Sequence, residues 1–337
     1  MSADLVVVGG GPVGLATAIE ARLAGLTVTL VERRTGDIDK ACGEGLMPGA
    51  LPLLARLGVD PPGMPLAGIS YRSGSRVADH RFRTGLGRGV RRTALHSALS
   101  VRADELGVRR VHGAVSGVLP EGVSVDGSTI RGSWVVGADG LHSTIRRLTG
   151  LEVAARGPRR YGLRQHYRIA PWTDLVEVHW GAHAEAYVTP VAESLVGVAV
   201  LGPRRTDFTA AIDGMPQLAS RLRGAVPVAS VAGAGPLHQV ARAPLAGKVL
   251  LVGDASGYVD ALTGEGLRLG FAQAHAAVAH ITGGGDYARS WTEITRDFRV
   301  LTTRLVRAAE SPLRGAIVPA ARAFPGWYGS IVERLAR

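Results

Sequence analysis

The chain has 337 residues, a single cysteine and a formal net charge of +11, carried almost wholly by arginine. One cysteine excludes an internal disulfide framework and any cysteine-based zinc site, and no metal is expected. The arginines fall as scattered doublets (Arg33-Arg34, Arg91-Arg92, Arg109-Arg110, Arg146-Arg147, Arg159-Arg160, Arg204-Arg205). They lack the one-sided, aromatic-interleaved cluster of a nucleic-acid binder, so the expected partner is a small molecule and not nucleic acid.

In chain order, "DLVVVGGGPVGLATAIEARLAGLTVTLVERR" is a β-α-β unit: a strand over Leu5–Val8, a small-residue helix over Pro12–Ala24, and a strand over Thr27–Val31 that ends at Glu32. Leu46–Leu57 has helical spacing, residues near 68–71 and 76–82 are strand-like, and Thr93–Leu106 is a helix. From Arg159 to Leu201 four runs, "YGLRQHYRIA", "LVEVHWGA", "EAYVTPVA" and "SLVGVAVLG", predict an antiparallel sheet. A helix over Phe208–Leu222 and strands within Val226–Ala243 follow. "GKVLLVGDASG" returns to parallel character, and a helix opens at Gly266. With the first strand beginning at Asp4, no signal peptide is expected. No run of about 18 apolar residues escapes interruption, so no stable membrane insertion is expected and the localisation is cytoplasmic. The basic tail, Arg296–Arg337, admits a membrane-surface or partner-binding helix or a helical cap. Pro312, Pro319 and Pro325 favour the cap. Nothing here indicates the oligomeric state.

Gly9, Gly11 and Gly14 form G-x-G-x-x-G between strand and helix. The first glycine permits the tight turn, the second the approach of a pyrophosphate, and the third close helix–sheet packing. Glu32 ends the next strand, where a carboxylate can accept hydrogen bonds from a ribose. These features predict a dinucleotide without separating NAD from FAD.

Two later stretches repeat the strand–turn–helix form: "GADGLHSTIRR" (137–147) and "GDASGYVDALTGEG" (253–266). Here the chain resembles the flavoprotein family that includes para-hydroxybenzoate hydroxylase, geranylgeranyl reductases and flavin-dependent halogenases. Gly137, Asp139, Gly140, Ser143 and Arg146 match its second motif, Gly253 and Asp254 its third, and Arg92 its R-x-x-L helix start. The resemblance implies FAD as cofactor, with NAD(P)H as a transient reductant. It implies an α/β fold, a Rossmann-like FAD-binding domain with an inserted antiparallel substrate sheet and a helical C-terminal cap. The expected divisions are 1–158 (with substrate-domain strands near 66–83), 159–243, 244–285 and 286–337. The flavin-binding residues it implies are Gly9, Gly11, Pro12, Gly14, Glu32, Arg33, Cys42, Gly43, Arg92, Asp139, Gly140, Gly253, Asp254, Gly264, Glu265 and Gly266.

"CGEGL" (42–46) and "TGEGL" (263–267) look like the paired loops of the geranylgeranyl-reductase branch, which pass beside the flavin ring. Glycines let a backbone lie against a flat ring. Cys42 is then a small wall of the pocket, since no activating base lies near it in sequence. Two departures matter. Ala261 replaces a proline common in the family, and "EAYVTPVAESLVGVAV" keeps Tyr187, Pro190 and Gly197 but lacks the tryptophan and lysine of polyprenyl reductases, which disfavours a long isoprenoid. The halogenase W-x-W-x-I-P motif is also absent. His166, Tyr187 and Thr189 are the candidate substrate-binding residues, and no catalytic acid or base is assigned. The expected activity is monooxygenation of a small hydrophobic or aromatic substrate through a flavin 4a-hydroperoxide. The alternative is reduction of a carbon–carbon double bond.

Overall fold

The computed structural model describes residues 2–157 and 159–337. Its nucleotide-binding half is an eight-stranded sheet whose parallel core runs, in spatial order, Val249–Leu251, Ser128–Gly137, Ala3–Val8, Val28–Glu32 and Arg109–His112. The first strand shows why its sequence is apolar almost throughout. Leu5 and Val7 enter the core beneath the helices Pro12–Leu23 and Gly266–Ile281, whereas Val6 and Val8 enter the opposite core with Val31, Val135 and Ile145. A strand covered on both faces must be apolar on both.

The second eight-stranded sheet has the spatial order Val226–Pro227, Arg160–Arg168, Leu195–Pro203, Glu185–Ala192, Leu175–Trp180, Gly68–Ser73, Arg76–Arg81, with Ala232–Ala234 also on Arg160–Arg168. The four strands expected over 159–201 are present, but the sheet is not wholly antiparallel: Leu175–Trp180 joins Gly68–Ser73 in parallel. That junction is how two strands from the first quarter of the chain extend a sheet made mostly of the middle.

Three expected helices differ locally, each for a backbone reason. The helix expected over 46–57 begins as a short strand, Gly45–Leu46, and is helical only from Leu51 to Arg56 after a 3-10 turn at Pro48–Ala50. The helix expected over 208–222 divides into Phe208–Asp213 and Pro216–Leu222. Met215, which precedes a proline, sits outside the helical region at φ −123°, ψ 77°. In the tail, one unbroken helix, Tyr287–Ala309, precedes the turn opened by Pro312, and Pro325 starts the helix Pro325–Ala336. The tail packs on the second sheet: Tyr328 donates to the Ile69 carbonyl at 3.1 Å and stacks near Tyr71, and Glu333 meets His80 at 2.7 Å.

The glycine turn holds a very close backbone approach. Gly9 is left-handed at φ +107°, and a Cβ at Gly14 would overlap the Gly9 carbonyl oxygen. Gly14→Ala is therefore expected to force helix and strand apart. It should cost about 1–3 kcal/mol in thermal unfolding and release the cofactor, as measured by melting temperature and flavin content of the purified protein.

Candidate active site

Around the glycine turn, Gly9, Gly11, Glu32, Arg33, Arg34, Lys40, Asp139 and His142 line a groove of about 240 Å³. Glu32 Oε2 accepts from the Gly10 amide at 2.6 Å and Oε1 from the Arg34 amide at 2.9 Å, so the end of the second strand is stapled to the turn. Pro12 supplies the first turn of the helix, where its missing N–H costs nothing. Arg92 begins the helix Arg92–Glu105. Its guanidinium reaches to 3.9 Å from the position a Gly11 side chain would take, and its buried Nε has no partner among the described residues. A basic head without a partner above a glycine cradle suits a pyrophosphate.

Asp139 caps the following helix. Its Oδ1 accepts from Ser143 Oγ at 2.5 Å and its Oδ2 from the amides of Thr144 (2.7 Å) and Ile145 (3.1 Å). Gly140, at φ +82°, completes the turn and has the Lys40 ammonium near it. Arg146, fully buried, donates to the carbonyls of Leu141 (2.8 Å) and Ala255 (3.1 Å) and to Gln239 Oε1 (2.9 Å). It thereby rivets the 137–147 turn to the 253–256 turn. Gly253, at φ +60°, packs on Val13 and donates to Gln273 Oε1 at 2.6 Å, which sets Asp254 at the mouth of the turn. Burial raises the Asp254 carboxyl, against the pull of Lys40, Arg92 and Arg146.

One strand, Glu185–Ala192, holds both glycine-rich loops. Thr189 Oγ1 donates to the Gly43 carbonyl at 2.8 Å, and Tyr187 Oη donates to the Leu262 carbonyl at 2.9 Å. The two side chains share a face because they are two residues apart. The strand Arg160–Arg168, one strand removed in the same sheet, adds a third anchor: His166 Nε2 lies 2.6 Å from Glu44 Oε2, and His166 Nδ1 2.8 Å from Arg164 Nη1, with Arg164 paired to Asp39. Glu44 Oε1 accepts from the Arg92 amide at 2.8 Å. The chain of contacts thus runs from the sheet to the residue above the glycine turn. Glu44 is left-handed at φ +59°, an uncommon state for a residue with a side chain, held here by these partners. His166, Tyr187 and Thr189, expected to face substrate, direct their polar atoms into the loop backbones and Glu44. Around them, Gly43 and Gly264 (φ +70°) face open space, and Gly266 opens the helix Gly266–Ile281. Cys42 is half-buried beside them and accepts weakly from the Glu44 amide at 3.4 Å. Burial pushes its thiol up, away from the nucleophilic thiolate.

Sequence reasoning missed Glu44, Asp39 and Lys40, and a second charged cluster. Arg160 contacts Glu185, Asp260 (3.4 Å) and Glu310 (3.2 Å), and Glu185 also takes Arg314 at 2.8 Å. This cluster ties the sheet to the loop before "TGEGL" and to the tail. Burial pushes the Asp260 carboxyl up to about 6. Among the described residues no group of three or more His, Cys, Asp or Glu could hold a metal.

The comparisons with known proteins agree with this geometry. The FAD binding domain family matches residues 2–283. The chain belongs to that family. This flavoprotein is 29% identical to a menaquinone reductase of Mycolicibacterium smegmatis over 88% of its own length and 80% of the relative's. It is 35% identical to the 6-methylpretetramide 4-monooxygenase of Streptomyces rimosus over 44% of its length and 41% of the relative's. Its fold superposes on a triple mutant of the flavin-dependent brominase Bmp2 with a TM-score of 0.81 at 18% identity, covering 99% of this chain and 94% of that one. A geranylgeranyl bacteriochlorophyll reductase-like protein of Thermoplasma acidophilum gives 0.72 at 19% identity, covering 88% and 83%. The flavoprotein is an FAD-dependent oxidoreductase.

Two outcomes test the site. Asp254→Ala is expected to weaken FAD binding at least about tenfold by removing one charged hydrogen-bonding group, whereas Cys42→Ala keeps FAD and most turnover. Fluorescence titration and steady-state assay of both variants decide this. Glu265, 2% exposed with an unpartnered Oε1, is raised by burial to about 7 against a weak pull from Arg268. A carboxyl whose folded pKa is raised gives stability that is full below its ordinary value near 4.5 and lost as pH rises through 7. Glu265→Gln should therefore melt with the parent at pH near 4.5 and be more stable at pH near 8.5, by at most about 3 kcal/mol. Equal melting at both pH values would show that Glu265 is not held protonated.

Proposed function

We propose that this flavoprotein reduces a carbon–carbon double bond of an apolar substrate, with FAD as hydride carrier and NAD(P)H as its transient reductant. The observation that carries the proposal is the length of the likeness. The menaquinone reductases match over 88% of the chain, whereas the monooxygenases of Streptomyces rimosus and Streptomyces venezuelae match over 44%. A match of that length must take in much of the second sheet as well as the nucleotide-binding part. The paired "CGEGL" and "TGEGL" loops point the same way.

The residues fit the cofactor. Gly9, Gly11 and Gly14 would leave room for the pyrophosphate beside Arg92, Glu32 would accept from the adenosine ribose, and Asp254 would hold the ribityl chain. Gly43 and the 264–266 backbone would line the ring, and the N–H groups opening the helix at Gly266 would favour negative charge on it. Bound FAD supplies two-electron hydride exchange. The protein supplies an apolar surround: Met47, Leu66, Val176, Leu237 and Leu262 form one buried cluster, with Tyr258 and Tyr187 against it. The charges beside that cluster are paired: Arg160 with Glu185, Asp260 and Glu310, and Arg314 with Glu185. Such a wall excludes water and accepts an olefin without demanding a polar handle.

A second reading, monooxygenation of a small hydrophobic or aromatic substrate, is favoured by the 35% identity to the Streptomyces rimosus enzyme. The two readings separate in one experiment. The enzyme is reduced anaerobically and offered prenylated quinones and shorter prenyl olefins, with the flavin spectrum and product mass followed. The proposal expects the flavin to reoxidise without oxygen and the product to gain two hydrogens. If the flavin stays reduced with every olefin, and admission of oxygen gives a transient absorbance band and a product with one added oxygen atom, the monooxygenase reading replaces it.

A further inference from the structure

We infer that the turn Arg322–Trp327 docks this enzyme on an anionic lipid surface. All six residues of "RAFPGW" are exposed, Phe324 to 65% and Trp327 to 59%. Three positions apart at the start of the helix Pro325–Ala336, the two rings lie on one side of its first turn. Before the helix Ile317–Ala323 that leads into this turn, Leu313 is 66% exposed.

The turn is not a loose end. The helices on either side bury Val318, Ala321, Tyr328 and Val332 against the second sheet, and Tyr328 and Glu333 are hydrogen-bonded to Ile69 and His80. The fold therefore spends its packing on the flanks and holds two large aromatic side chains rigidly in water. Aromatic exposure of that kind marks a contact surface.

Charge chooses the partner. Between residues 300 and 337 there are six arginines and two glutamates. Arg304, Arg307, Arg322, Arg334 and Arg337 are exposed, while Glu310 is bound to Arg160 and Glu333 to His80. Tryptophan and phenylalanine beside arginines, with carboxylates engaged elsewhere, is the composition that settles at the headgroup boundary. The rings enter the acyl edge and the guanidinium groups meet lipid phosphates. A second copy of this chain is a poorer fit, because two rings and a leucine ringed by like charge fall short of the apolar area a stable dimer buries. No helix among the described residues is long and apolar enough to cross a membrane, so the contact is peripheral. Val318, Ala321 and Val332, beside the turn, share one apolar cluster with Leu262 on the "TGEGL" loop, so the docking face and the wall of the proposed pocket belong to the same body. The docking itself rests on the surface alone and stands whichever reaction the flavin runs.

The test is co-sedimentation of the FAD-loaded full chain with phosphatidylcholine vesicles, with and without about one-third phosphatidylglycerol. The parent is expected to pellet with the anionic vesicles and be released by salt. The Phe324→Ser/Trp327→Ser double variant, with unchanged flavin spectrum and melting temperature, should bind at least about tenfold more weakly. Arg322→Glu should weaken binding in the same direction. The inference fails if the parent stays in the supernatant at low salt, or if the double variant binds as well as the parent. It fails too if the parent elutes as a dimer that the double variant dissolves, since the patch then belongs to a second copy.

Discussion

The active region depends on one strand gripping two loops that are more than two hundred residues apart in sequence. Thr189 and Tyr187 hold the Gly43 and Leu262 carbonyls from the same face of Glu185–Ala192. Each bond is worth about 1 kcal/mol net, little beside the whole fold. Its value is positional. Loops rich in glycine have many conformations to lose, and only a fixed frame keeps two of them parallel to one flat ligand. The His166–Glu44 contact reinforces the frame and carries it to Arg92, so the second sheet and the glycine turn are set relative to each other by side chains and not by the loops themselves.

The same frame explains why so much charge is buried in this part of the molecule. Arg160, Arg164 and Arg146 are among the largest fully buried side chains of the molecule, and each sits at a junction: sheet to tail, sheet to "CGEGL" loop, and one turn motif to another. Buried pairs recover little net stability after desolvation, but they tolerate one geometry. Removing one partner leaves a charge stranded, which makes the junctions selective for the folded arrangement.

Much of the fold was legible because it follows local rules. A strand covered on both faces is apolar throughout, a glycine turn between strand and helix takes a dinucleotide, and period-two alternation put Tyr187 with Thr189 and Arg164 with His166; the register, which alternation does not give, brings both pairs to one face of the sheet. What the sequence hid was partnership across distance. Glu44 stands between two glycines and gives no local hint that it meets a histidine 122 positions later. The parallel junction of Leu175–Trp180 with Gly68–Ser73 is equally invisible to periodicity, since a strand carries the same pattern in either direction. The arginine doublets lack any cluster in sequence, and for several exposed members nothing in the structure assigns a role. Arg92, Arg146 and Arg160, by contrast, are structural or cofactor-facing, a distinction that only burial and partners make.

The claim that one strand frames the flavin is tested most directly by the FAD dissociation constant of the Tyr187→Phe/Thr189→Val double variant. Losing two carbonyl anchors of about 1 kcal/mol each should weaken FAD binding roughly ten- to thirtyfold, with far-ultraviolet circular dichroism unchanged. A variant that binds FAD as tightly as the parent would show that the loops hold their own shape, and that the strand only lies beside them.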